Sequence, residues 1–99
     1  MKLADFKWMT KQQHQHIRTE HAGRQIVLNF GNYELSIIDD GYGRDQGLLE
    51  ICTFKDGDMT SMPGITAEGD TVKGYLTEAD VDAIIKKMYS ITGKEPTQV

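Results

Sequence analysis

The stretch Arg24-Gln25-Ile26-Val27-Leu28-Asn29-Phe30-Gly31-Asn32-Tyr33-Glu34-Leu35-Ser36-Ile37-Ile38-Asp39 decides the fold. Gly31-Asn32 is a two-residue turn signal between two runs of strand-forming residues, 24–30 and 33–39, and loops of this kind close hairpins. With those two residues as the loop, Phe30 pairs with Tyr33, Leu28 with Leu35 and Ile26 with Ile37. Side chains alternate between faces along a strand, so all six share one side. The other side collects Asn29 with Glu34, Val27 with Ser36 and Gln25 with Ile38, and is mostly polar. A single register accounts for both faces.

Downstream, a third strand is expected over 48–54, after a loop at 40–47. There Leu49 and Ile51 oppose Leu48, Cys52 and Phe54, with Glu50 among the latter. This implies apolar cover on part of both faces. Lys55-Asp56-Gly57-Asp58 reads as a turn, 59–69 (with Pro63-Gly64) as irregular connection, and 71–75 as a short edge strand.

The C-terminal helix has a start, a stripe and a stop. Thr77 is a good N-cap, Glu78 and Asp80 place negative charge in the first turn, and Leu76 with Val81 fits a hydrophobic staple. Val81, Ile84, Ile85, Met88 and Ile91 then recur at helical spacing. Gly93 offers a stop and Pro96 bars continuation. Upstream, Thr10 with Gln13 matches a capping-box spacing and Gly23 a terminus, which predicts a helix over about 11–22, although Ile17 is nearly its only apolar residue. Leu3, Phe6, Trp8 and Met9 are expected to dock just before it. The expected architecture is α+β: one domain over 1–99, with an N-terminal helical segment (1–23), an antiparallel meander of three or four strands (24–75), a helix packed on one face (77–92) and a frayed tail (93–99).

Composition sets the class. The chain has 99 residues, 38% hydrophobic and 26% charged, which suits one globular core. No apolar run reaches the ~20 residues of a membrane span, and Asp5 and Lys7 interrupt any signal-like start. Cys52 is the only cysteine, so no internal disulfide forms. These features predict a cytoplasmic protein without a membrane partner. The net charge of −4 is unevenly spread. Residues 1–24 hold five bases and two acids, whereas 34–82 hold twelve acids against Arg44, Lys55 and Lys73. A one-signed surface keeps a small domain soluble, and it also steers association with a basic partner.

Several constellations carry residue types suited to chemistry. His14, His16 and His21 are metal-ligand types, but on a helix only His14 and His21 share a face, and HExxH is absent. They remain weak candidates, and neither metal nor cofactor is expected. The loop Gly41-Tyr42-Gly43-Arg44-Asp45-Gln46-Gly47 contains G-x-G-x-x-x-G, yet it leads into a strand, lacks the P-loop lysine and lies beside Asp39, Asp40 and Asp45. Those carboxylates would repel phosphate, so the glycines read as turn formers. Asp56 and Asp58 start no EF-hand, because Ser61 and Ala67 fall where Gly and Glu are required. Ser36, Ser61 and Ser90 lack a nucleophile context, and Cys52 reads as a buried small residue. Trp8 and the basic N-terminal stretch suit nucleic acid, but the acidic remainder opposes it.

The runs Tyr33-Glu34-Leu35-Ser36-Ile37, Gly41-Tyr42-Gly43, Gly47-Leu48-Leu49-Glu50-Ile51 and Gly74-Tyr75-Leu76-Thr77-Glu78-Ala79-Asp80-Val81 resemble, in this order, small uncharacterised proteins encoded by bacteriophages and prophages. The resemblance spans about residues 33–91 and rests on a strand, a loop glycine pair and a helix start. It implies a setting in a host cell's cytoplasm and no catalytic residue. The functional expectation is a non-enzymatic, acidic interaction module that binds and modulates a host protein, with Asp39, Asp40, Tyr42, Arg44 and Asp45 at the contact. The alternatives are a metal-binding protein or metal-dependent enzyme using the N-terminal histidines, and a homodimer or assembly protein joined through an edge strand or through Phe6, Trp8 and Met9.

Overall fold

The central hairpin forms in the register its sequence dictates. A computed structural model describes residues 1–10 and 23–99. In chain order its elements are a 3-10 turn at Leu3–Asp5, then β1 (Met9–Thr10), β2 (Arg24–Phe30) and β3 (Tyr33–Ile38). These are followed by a second 3-10 turn at Arg44–Gln46, β4 (Leu49–Lys55), β5 (Asp58–Met59), β6 (Val72–Leu76), α1 (Glu78–Thr92) and β7 (Thr97–Gln98). Phe30 lies opposite Tyr33, Leu28 opposite Leu35 and Ile26 opposite Ile37. Gly31 takes φ +80° while Asn32 stays at negative φ, the type II′ pattern that matches strand twist. At the other hairpin Asp56 and Gly57 both have positive φ, the type I′ pattern, and Lys55 pairs with Asp58.

All pairings are antiparallel, and the sheet carries more strands than the three or four expected. The order β1-β2-β3-β4-β5 is completed by β6 on β4 and β7 on β2. Each outer lane is tiled end to end. Along β2, β1 covers Arg24 and Gln25 while β7 covers Leu28 and Asn29. Along β4, β5 covers Phe54 and Lys55 while β6 covers Leu49 to Cys52. Two-residue strands carry no periodicity, so the pattern of the sequence does not announce them. They leave short edges in place of long ones, which limits edge-to-edge association.

Ile26, Leu28, Phe30, Leu35, Ile37 and Ile51 are essentially inaccessible to solvent, and Val81, Ile84, Ile85 and Met88 of α1 cover them. Full burial of each such side chain stabilises by about 1.5–3 kcal/mol before entropy is counted. Met62 and Ile65, from the connection 60–71, fill the remaining side. That connection is tied down by hydrogen bonds: Thr53 Oγ1 donates to the Thr60 carbonyl at 2.6 Å, and Met62 N donates to Thr66 Oγ1 at 2.8 Å. Thr77 caps α1 reciprocally, its Oγ1 accepting from Asp80 N while Asp80 Oδ2 accepts from Thr77 N. The Thr77 N–H, with the Thr77 hydroxyl beside it, favours the ionised carboxylate and holds the Asp80 pKa below its ordinary value. Gly93 ends the helix in a left-handed conformation.

Four expectations are corrected. Ile91 is 48% exposed, because at 3.6 residues per turn the stripe through Val81, Ile84, Ile85 and Met88 next falls on Thr92, which is partly buried. The tail is not frayed: Pro96 is buried, β7 pairs with β2, and Val99 N donates to the Val27 carbonyl at 3.0 Å. The Gln98 amide also clasps Lys7, accepting from its N–H at 2.9 Å and donating to its carbonyl. Residues 1–10 form one 3-10 turn and a short strand, anchored where Leu3 N donates to Asp82 Oδ1 at 2.7 Å. Phe6 and Trp8 pack against the core, with the Arg24 guanidinium 5.0 Å from the Trp8 ring centre, while Met9 is exposed. The helix predicted over 11–22, with His14, His16 and His21, lies outside the described residues.

Two outcomes test these anchors in urea denaturation. Thr77→Ala is expected to lower stability by about 1 kcal/mol, the usual worth of an N-cap. Removing residues 97–99 is expected to cost about 2 kcal/mol, since several net-favourable hydrogen bonds go with them.

Candidate functional site

The loop between β3 and β4 is built by its own backbone. Arg44 N donates to the Gly41 carbonyl, while Gln46 N and Leu48 N both donate to the Gly43 carbonyl, all within 3.1 Å. Gly43 (φ +98°) and Gly47 (φ +71°) flank the 3-10 turn in left-handed conformations that a side chain would strain. The loop is thus a folded unit bearing Tyr42, Arg44 and Asp45.

β6 meets this loop at a bulge. Leu49 pairs with Leu76 but Ile51 pairs with Lys73, so Gly74 and Tyr75 together oppose the single residue Glu50. The Glu50 carboxylate accepts from Tyr42 N at 2.6 Å, and Tyr75 N donates to the Tyr42 carbonyl at 3.0 Å. A Cβ on Gly74 would stand 2.5 Å from Tyr42 Cβ, so only glycine allows this approach. Tyr75 itself takes φ +58°. A left-handed conformation costs an L-residue roughly 1–2 kcal/mol, and the surrounding bonds hold it there.

Asp40, Tyr42, Arg44 and Asp45 therefore come together with Glu50 and Tyr75 around an open cavity of about 570 Å³. Tyr42 and Tyr75 are 64% and 58% exposed. Asp40, Asp45 and Glu50 share the lining with Arg44, whose Nε lies a loose 3.7 Å from Asp45 Oδ1, so the lining is net acidic, although the Asp40 carboxyl group itself packs against Gly23. Asp39 stands apart from the lining. Its carboxylate accepts from Arg24 N at 2.7 Å and from Arg24 Nε at 2.8 Å, pinning the end of β3 to the start of β2. Partial burial pushes its pKa up, but the Arg24 N–H and guanidinium together outweigh this and hold it below the ordinary value. Glu50 and Tyr75 were not among the expected contact residues. Their signal was Gly74 inside a strand run, which marks a bulge or a close backbone approach.

Elsewhere the groups are less suited to chemistry. A second cavity, about 420 Å³, is largely apolar and lies between α1 (Ala83, Tyr89), Met1 and Pro96. Cys52 is half-buried, and burial raises its thiol pKa, which disfavours a reactive thiolate. Among the described residues, no group of three or more His, Cys, Asp or Glu is arranged to hold a metal ion, and no helix is long and apolar enough to cross a membrane. No protein-family model, curated protein or solved structure matches the chain.

Tyr75→Asn removes the ring and installs a residue more tolerant of left-handed backbone. Its unfolding free energy is expected to stay within about 1 kcal/mol of the parent, where Phe30→Ala would lose about 3–5. Asp39 gives a pH signature. Its folded pKa is depressed, so its stabilisation is complete above the ordinary carboxylate range and is lost as pH falls through the folded value. The urea midpoint of the parent should accordingly fall more between pH 6 and pH 3 than that of Asp39→Asn.

Proposed function

We propose that this chain is a small interaction module, a phage-type accessory protein that binds and modulates a host protein through the cavity face of the β3–β4 loop and the β6 bulge. One observation carries the reading: Tyr42 and Tyr75, distant in sequence, converge as exposed aromatic side chains on a hydrogen-bonded frame. Tyrosine combines a large apolar ring with a hydroxyl and few rotatable bonds, which makes it a favoured interface anchor. Asp40, Asp45 and Glu50 beside the rings favour a basic partner surface and accelerate encounter with it. The likeness to phage-encoded proteins in 33–91 supports the setting. It includes both Gly41-Tyr42-Gly43 and Gly74-Tyr75, the segments that touch at the cavity.

The test is capture from bacterial lysate on the tagged full chain, washed at low and high salt, followed by affinity measurement on the recovered protein. One stoichiometric partner is expected, released by high salt. Tyr42→Ala should weaken it by at least about 30-fold, the ~2 kcal/mol of an interface anchor, and Asp45→Lys by a smaller factor. Capture indifferent to both substitutions would overturn the reading.

A further inference from the structure

We infer that the group received between Tyr42 and Tyr75 is the guanidinium of a partner arginine; this deepens the interaction reading above and rests on it. The rings, not the acids alone, define the site. Tyr75 sits at positive φ and is 58% exposed. Neither the core nor the backbone conformation calls for a tyrosine there, so what remains is its ring at the cavity wall. Two tyrosines on one cavity offer π-faces, which attract a planar cation.

The polar lining selects the charge. Glu50 gives one carboxylate oxygen to Tyr42 N, and a carboxylate has acceptor capacity beyond one bond. Asp45 is 93% exposed on its side chain and only loosely paired with Arg44. Acceptors thus exceed donors, which suits the five-donor guanidinium fork. An anion would meet the Asp45 and Glu50 carboxylates. A hard metal ion would need several convergent oxygens, and the described residues contain no such group. At about 570 Å³ the cavity is roomy enough for an arginine head with its methylene stem.

The probes are three capped pentapeptides, Gly-Gly-X-Gly-Gly, with X arginine, lysine or citrulline, titrated into the ¹⁵N-labelled full chain up to roughly 10 mM, the range of a single anchor side chain. Citrulline keeps the shape and removes the charge. The arginine peptide is expected to give saturable shifts at the amides of Tyr42, Gly43 and Tyr75, at least tenfold tighter than citrulline and tighter than lysine. Tyr75→Asn should abolish them with the melting temperature and distant amides unchanged. Asp45→Asn, at an exposed position, should weaken them severalfold and serves if the first variant does not fold. Equal binding of arginine and citrulline, or no saturable shift, overturns the inference. A host partner held through Tyr42 and Tyr75 without any arginine effect overturns this inference alone, whereas capture indifferent to both Tyr42→Ala and Asp45→Lys overturns the interaction reading beneath it.

Discussion

Ile26, Leu28 and Phe30 must leave water on the same side of the sheet as Leu35, Ile37 and Tyr33, because an antiparallel register with a two-residue loop places each pair back to back on one face. Everything else answers that constraint. A one-residue slip would turn the whole set toward solvent, so the pairing is strongly specified. One helix with a matching stripe is enough to cover it, and the connection 60–71 fills what the helix does not reach. The two β2 edge segments, β1 and β7, come from opposite ends of the chain, and the Gln98–Lys7 clasp ties them where they meet.

The candidate site arises where that sheet ends. β3 delivers Asp39 to its pair with Arg24, and the chain then folds back through a loop whose Gly43 and Gly47 take left-handed conformations that a side chain would strain. Glu50 connects the two halves of the site. Its carboxylate holds the loop through Tyr42 N, and its backbone faces the bulge that turns Tyr75 outward. Rigid support beneath exposed aromatics lowers the ordering cost that a partner would otherwise have to meet. The same arrangement explains why acidity alone was a poor guide. Asp39 and Asp45 carry the same side chain, but Asp39 is committed to an internal pair whereas Asp45 is left to solvent.

The hairpin, its register, the helix with its cap, and the glycine stop were legible because each depends on residues within a few positions of one another. Periods of two and 3.6 and the chemistry of turns and caps are local properties, and local physics decided them. So too was the loop 40–47 as a place where Tyr42, Arg44 and Asp45 stand out. What tertiary structure alone decided was longer in range: the two-residue strands too short for a period, the tail drawn into the sheet by β2's unpaired edge, and the withdrawal of Asp39 into its pair with Arg24. Above all, it brought Tyr75 and Glu50 to Tyr42 across a bulge, because the close approach of Gly74 to that loop is a contact between segments thirty residues apart, which no local pattern encodes.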